Sequence, residues 1–365
     1  MLRTEEFQVN MGPQHPSTHG VFRAVLSMDG EVVESVDSRI GYLHRGIEKI
    51  CESRTYPQII PLTDRLDYLS AMSNNMAFCM AVEKLMAVQL PERAILLRMI
   101  IAELQRIASH LVFIGCFGLD TGAITVFLYT FREREYIMNL FEKLCGARLI
   151  YNYMRVGGVS QDLPEGFEKE TLEFCKIMEE KIEEYNNLFT ENYIFKIRSQ
   201  GVGVISRQTA LSYALSGPVG RGSGVDYDVR KSDPYLWYDK VDFKVALFEN
   251  GDCFDRYMVR VVEVKESIKI IRQCLGMLQS GPVIAKVPKL LKPPAGEVYA
   301  HIENPRGDLG VYLVSDGSLN PYRVKFRAPS FVNLSVFSKA AGHQKIADLV
   351  VTLGSIDPVF GEVDR

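Results

Sequence analysis

The run from Glu92 to Phe131 constrains this chain more than any other segment. Between residues 92 and 117, Ile100, Leu104, Ile107, Ala108 and Leu111 recur at i, i+4, i+7, i+8 and i+11, the spacing of one buried helix face. From Leu111 to Phe131 charge is nearly absent, and the length approaches the ~20 residues that cross a bilayer. Asp120 nevertheless sits in the middle, with Gly115, Gly118 and Gly122 around it. A central carboxylate and a glycine-rich break favour two packed interior helices over a membrane span. Pro91 falls where one helix should end and the next begin. The chain is therefore expected to build around a helix bundle.

The flanks read differently. FQVNM, VFRAVLSMDG and EVVESVDSRI carry the alternation and β-branched residues of strands, with Asp29-Gly30 as a hairpin signal. Further helices are expected from about Glu165 to Asn187 and from about Cys253 to Leu278. After the proline-rich KVPKLLKPPAGEV, the segments EVYAHIEN, LGVYLVSDG and YRVKFRAPS again read as strands of a small mixed sheet. The expected class is α+β. It divides into an N-terminal β segment (1–45), a helical bundle core (46–290) and a C-terminal α+β segment (291–365) within one compact unit.

Charge narrows the function. A net charge of -3 in 365 residues gives no field that would recruit nucleic acid or anionic lipid. MLRTEEFQVNMGPQHP lacks the basic start, apolar run and cleavage site of an export signal, so a cytoplasmic location is expected. The seven cysteines are scattered singly, without a CxxC pair, which argues against a disulfide framework or a protein-held iron-sulfur cluster; most read as small core residues.

Individual motifs are weak. His15 and His19 in GPQHPSTHG stand four apart, but Pro16 makes the segment a loop rather than a two-ligand helix face, and no other zinc ligands are nearby. SGPVGRGSG (216–224) contains neither GxxxxGK[ST] nor GxGxxG. Ser206, His301 and His343 lack the GxSxG elbow of a hydrolase. Asp120 needs a partner, because an ionised carboxylate in apolar surroundings costs several kcal/mol. A helix cap or a salt bridge to Arg132 would serve, and so would charge control of a histidine. Tyr68 in TDRLDYLS lies at a spacing where core packing alone would place a tyrosine.

Taken together, NMGPQHPSTHGV, GYLHRGIEK, TDRLDYLS, SHLVFIGCFGLDTGA, GARLIYNYMRVGGV, GPVGRGSGVDYDVRK, GDCFDRYMVRV and DPVFGEVDR resemble, in order and along the whole chain, the quinone-site, D-type subunit family of respiratory complex I. That family is similar in turn to nickel-iron hydrogenase large subunits. The resemblance implies their fold and a peripheral-arm subunit of a proton-pumping NADH:quinone oxidoreductase, inactive alone, on the cytoplasmic side of the inner membrane. It implies a quinone, menaquinone or ubiquinone, held between Tyr68 and His19, with Asp120 as partner of the histidine and Ser70, Val359 and Phe127 near the pocket wall. Arg45 and Arg65 match family arginines beside the iron-sulfur cluster of a partner. The implied partners are the cluster-carrying B-type subunit, the C-type and I-type subunits, and the H-type membrane subunit, which would supply the membrane contact. The nickel-binding cysteines of hydrogenases are replaced here by Asp67, Ser70, Val359 and Glu362, so no metal is expected. Relatives fed by ferredoxin or reduced deazaflavin would have the same quinone site, and a hydrogenase would need the missing cysteines. One departure is Ile150, where the family often carries a histidine near the cluster; any coupling of protonation to cluster potential through that position is expected to be lost.

Overall fold

A computed structural model describes residues 6–14 and 20–365. The principal elements are strands β1 (Glu6–Met11), β2 (Arg23–Asp29) and β3 (Val32–Arg39), then helices α1 (Ala71–Met86), α2 (Glu92–Asp120), α3 (Ile124–Cys145), α4 (Phe167–Tyr185) and α5 (Cys253–Met277). Strands β4 (Gly296–Asn304), β5 (Gly307–Ser315) and β6 (Arg323–Arg327) follow, and then helix α6 (Ile346–Ile356). Shorter helical turns fill the connections.

α2 is the axis of the molecule. Its most apolar window is 89% buried, so its hydropathy serves the protein's own core. α3 runs back along it after a break at Thr121–Ala123, as expected for the charge-poor stretch. The glycines make the close crossing possible: a Cβ at Gly115 would meet Thr130 Oγ1 at 2.5 Å, and one at Gly118 would meet the Ala123 carbonyl at 3.2 Å. α5 and α6 pack against α2 on other sides, and α4 covers α3 and α5. Pro91 takes the N-cap of α2 rather than its first turn.

β1, β2 and β3 form an antiparallel meander to which Gln344–Lys345 adds an edge. Ala24, Leu26 and Met28 face inward, joining Phe22, Phe337 and Phe360 in a second, smaller core. The C-terminal sheet is antiparallel throughout, not mixed. The reason is local: β4 and β5 are joined by a hairpin whose end pair is Asn304 and Gly307, too short a link for a parallel crossover. That hairpin lays Pro305 and Arg306 against the bundle.

Five of the seven cysteines are buried, as core residues should be, while Cys116 and Cys145 are half-buried.

Candidate functional site

Two sequence segments almost three hundred residues apart are pressed together. Asp67 N-caps the short turn Tyr68–Ser70, accepting from Leu69 N–H at 3.1 Å, and Ser70 donates its hydroxyl to the same carboxylate. Asn74 binds the Asp67 carbonyl at 3.0 Å and Gln105 the Leu69 carbonyl at 2.6 Å, so the turn is fixed from both sides. The C-terminal DPVFGE segment crosses directly over it. A Cβ at Gly361 would meet the Leu66 carbonyl at 2.7 Å, so only glycine admits this approach. The four positions expected to stand in place of the hydrogenase cysteines, Asp67, Ser70, Val359 and Glu362, are thereby gathered in one place and all are buried.

What occupies that interior is an ionic network with one arginine at its centre. Arg306, wholly buried at the β4–β5 turn, donates to Asp67 at 3.1 Å and to Ser109 of α2 at 2.6 Å, and pairs with Asp357 at 3.3 Å. Asn304 donates to Ser70 at 2.8 Å. Ser330 donates to Glu362 at 2.7 Å and receives the Val359 N–H at 3.3 Å. Burial, reinforced by Asp67, pushes the Glu362 carboxyl up to about 8, so it carries its proton at neutral pH. Burial likewise raises Asp67, against the pull of Arg306. Arg260 lies 3.9 Å from Asp357, with its guanidinium 3.8 Å above the Phe113 ring.

Tyr68 sits on the outer edge of this network and is 44% exposed. Its phenol is raised above its ordinary value, first by burial and then by Asp67, with Asp357 and Cys116 adding to the effect, so it stays protonated and able to donate. Cys116 links it to Asp120: the two lie one turn apart on α2, and burial first, then Asp357 and Asp120, push the Cys116 thiol up to about 11. Asp120 is the last residue of α2. Arg132, one of the candidate partners, is engaged by Glu133 at 2.6 Å and Glu184 at 4.0 Å. Phe127 stands on α3 against Gly115, beside Cys116, and stacks on Phe131 at 4.3 Å.

His19 lies outside the described residues. Gly20, which follows it, rests against the Phe360 ring, where a Cβ would come within 2.6 Å, one residue from Val359. Arg45 and Arg65 share an exposed face. Arg45 donates to the Arg65 carbonyl at 2.7 Å and the Gly361 carbonyl at 3.2 Å, and Arg65 donates to the Pro61 carbonyl. Among the described residues neither forms an ion pair within 4.0 Å. Burial and the neighbouring Arg65 lower Arg45.

Sequence reasoning missed Arg306, Asp357, Asn304 and Ser109. A signal existed: Glu103, Arg106, Ser109 and His110 recur at helical spacing inside an otherwise apolar helix, and buried charge must be answered from elsewhere. The glycine-rich run 216–224 has a packing role. A Cβ at Gly217 would meet the Arg306 carbonyl at 2.4 Å, and Asn333 ties the Ser216 and Arg306 carbonyls together at 3.2 and 3.0 Å. Ser206, His301 and His343 have separate partners: Thr209, the pair Asp233 and Asp308, and Glu34.

The family described as "Respiratory-chain NADH dehydrogenase, 49 Kd subunit" matches residues 120–293 and 286–365. The chain is 54% identical over 363 residues to the D-type subunit of the NADH-quinone oxidoreductase of Desulforamulus reducens, covering 100% of this chain and 99% of that one. It is 53% identical over 365 residues to the protein of the same name from Bacillus mycoides, and 51% identical over 390 residues to that from Geotalea uraniireducens, with full coverage of both chains in each case. With this fold and identity above half along its entire length, the chain belongs to the D-type subunit family of NADH-quinone oxidoreductases, the hydrogenase-like subunit of a membrane-associated oxidoreductase complex.

Proposed function

We propose that this chain forms the site where quinone is reduced within a proton-pumping NADH:quinone oxidoreductase. The observation that carries the reading is the place of Tyr68: a half-exposed, protonated phenol at the edge of a closed ionic interior, on the turn that holds two of the replaced cysteine positions. Reduction of a quinone to a quinol takes up two electrons and two protons. Tyr68 donates a hydrogen bond to one carbonyl and His19 to the other, each able to deliver a proton. Asp120 stabilises imidazolium His19 before transfer and draws the replacement proton afterwards. Ser70, Val359 and Phe127 line the wall.

Electrons arrive from an iron-sulfur cluster held by the B-type subunit, beside Arg45 and Arg65. Their positive charge raises the cluster potential. Leu119, Ile124 and Leu128, exposed at 42%, 62% and 60% at the turn between α2 and α3, support a protein-covered mouth rather than a wet one. The B-, C-, I- and H-type subunits are the partners in this reading, and the assembly sits on the cytoplasmic face of the inner membrane.

A quinone analogue carrying a photoreactive group on its ring tests the reading in the assembled complex. Crosslinks to peptides containing Tyr68 or residues 116–131, suppressed by excess native quinone, are expected. Crosslinks confined to other subunits would remove the site from this chain.

A further inference from the structure

Behind the pocket lies a second buried ionic cluster that the quinone reading does not use. Four carboxyls, Glu103, Asp228, Glu263 and Glu303, face three guanidiniums, Arg106, Arg221 and Arg230, and all seven residues are at most 3% exposed. Arg260, the next buried cation, lies against Asp357, so the three guanidiniums leave one carboxyl without an ionic partner of its own; an unmatched charge so deeply buried costs several kcal/mol, which favours a bound proton. His110, 2.8 Å from Glu263, and the four carboxyls are its possible seats.

The donors separate them. Glu103 receives Arg106 at 3.1 Å, Arg230 at 3.2 Å, Tyr238 at 2.7 Å and Ser267 at 2.6 Å. Asp228 takes Arg230 through two side-chain nitrogens at 2.6 and 3.0 Å and through its backbone N–H at 2.9 Å. Glu263 takes Arg221 at 2.6 Å together with His110. Among the described residues, the Glu303 carboxyl receives only Arg221 at 2.8 Å, shared with Glu263 and Asp228, and the Val229 N–H at 3.0 Å. Around it stand Arg106 and Glu103 from α2, Glu263 from α5, Asp228 and Arg230 beside Val229, and the Tyr235 hydroxyl, which accepts its N–H at 3.2 Å. His110 is the poorer seat: it is fully buried near Arg106 and Arg260, which keeps it neutral, its pKa pushed down to about 4. Burial and Asp228 push Glu303 up to about 7.

The cluster and the pocket share their walls. Glu303 precedes Asn304, which holds Ser70, and Arg106 donates to the Glu303 carbonyl at 2.6 Å. On α2, Ser109 meets Arg306 of the pocket while His110 meets Glu263 of the cluster. Arg260 stands between them, its charge felt by Glu263 and Asp357.

We propose that Glu303 is a buried proton-binding site whose occupancy is linked to the charge of the pocket. Linkage is reciprocal: negative charge delivered to the pocket tightens the proton on Glu303, and ionised Glu303 opposes that negative charge. Quinone reduction should therefore slow as pH rises and Glu303 ionises. This linkage rests on the quinone reading, whereas the proton on Glu303 does not.

The test is infrared spectroscopy of protonated carboxyls in the assembled complex, beside the pH profile of quinone turnover, for the unmutated form, Glu303→Gln and Glu303→Asp. Expected are a carboxyl band at neutral pH that is lost in Glu303→Gln, shifted in Glu303→Asp, and titrated away at alkaline pH in the unmutated form. The alkaline decline in turnover should disappear in Glu303→Gln and move in Glu303→Asp, which decides the matter should the glutamine form fail to assemble. Bands identical in all three forms would overturn the proton seat. A lost band with an unchanged pH profile would overturn the linkage. Failure of the quinone reading would show separately, as turnover insensitive to Tyr68→Phe with the Glu303 band still present.

Discussion

The two ends of α2 hold their charges in different settings. In its first six turns Arg98, Glu103, Arg106 and His110 are wholly enclosed, and each meets a partner on another element or on α2 itself. At its last turns Cys116 and Asp120 are half-buried and Tyr68 beside them is half-exposed, in a rim of exposed apolar side chains. The interior charges hold fixed geometry at the cost of desolvation. In the proposed reading, the groups at the mouth are the ones that meet quinone. Arg306 separates the two regions, binding Asp67 and Asp357 on the side nearest Tyr68.

Substitutions should sort along this divide. The largest effect is expected for Arg306→Met, which leaves Asp67 buried without its cation and Asp357 with Arg260 alone. Breaking such a pair costs about 3–5 kcal/mol, enough to remove the subunit from the complex. Subunit content after purification measures it, and a stably assembled variant would break the contrast between closed interior and open mouth.

Asp64 sharpens it. This wholly buried carboxyl is pushed up to about 7 by burial. Because the folded value lies above the unfolded one, its stabilising contribution is present below the unfolded pKa and is lost as pH rises through the folded one. Asp64→Asn should therefore be nearly neutral below pH ~4 and stabilising, by roughly 1–3 kcal/mol, above pH ~7. Thermal inactivation of the complex at both pH values is the check, and an equal effect at both would contradict it.

Ile150 gives a smaller effect. It adopts φ 62, a left-handed conformation that a β-branched residue rarely takes and that histidine tolerates better. Ile150→His should leave stability unchanged or raise it by up to about 1 kcal/mol. It should also make the midpoint potential of the partner's cluster fall with rising pH near neutrality. In the unmutated complex that fall should be weak, and a steep one would remove the role assigned to this position. Least of all should come from Arg148→Ala. Arg148 is 40% exposed and bridges Glu135 and Glu142 on the surface, where such contacts rarely register in stability.

Much of the fold was legible because its periodicities are strong. The α2–α3 pair, α4, α5 and all six principal strands follow from apolar spacing and turn residues. The antiparallel closure of β4 to β6 was not read, although the turn at Asn304–Gly307 dictated it, and the Gln344–Lys345 edge of the first sheet depends on a contact no local pattern encodes. The site was legible by resemblance as positions, but not as a network. Asp67 and Glu362 were recognisable as replaced cysteines, yet nothing near them in sequence indicates Arg306, because its partners arrive from Asp67, Ser109 and Asp357 through tertiary packing. Buried ion pairs are written as charges in apolar stretches, and their partners are settled only when the chain folds.

The most direct test of quinone chemistry at this chain is inhibitor-sensitive quinone reduction by the assembled complex carrying Tyr68→Phe, with assembly and the partner's cluster signal checked alongside. Tyr68 is at the mouth and its hydroxyl makes no hydrogen bond to Arg306, Asp67 or Asp357, so assembly and cluster reduction should persist while turnover falls by about two orders of magnitude or more, the loss of a positioned proton donor. Unchanged turnover would make Tyr68 a packing residue and contradict the account.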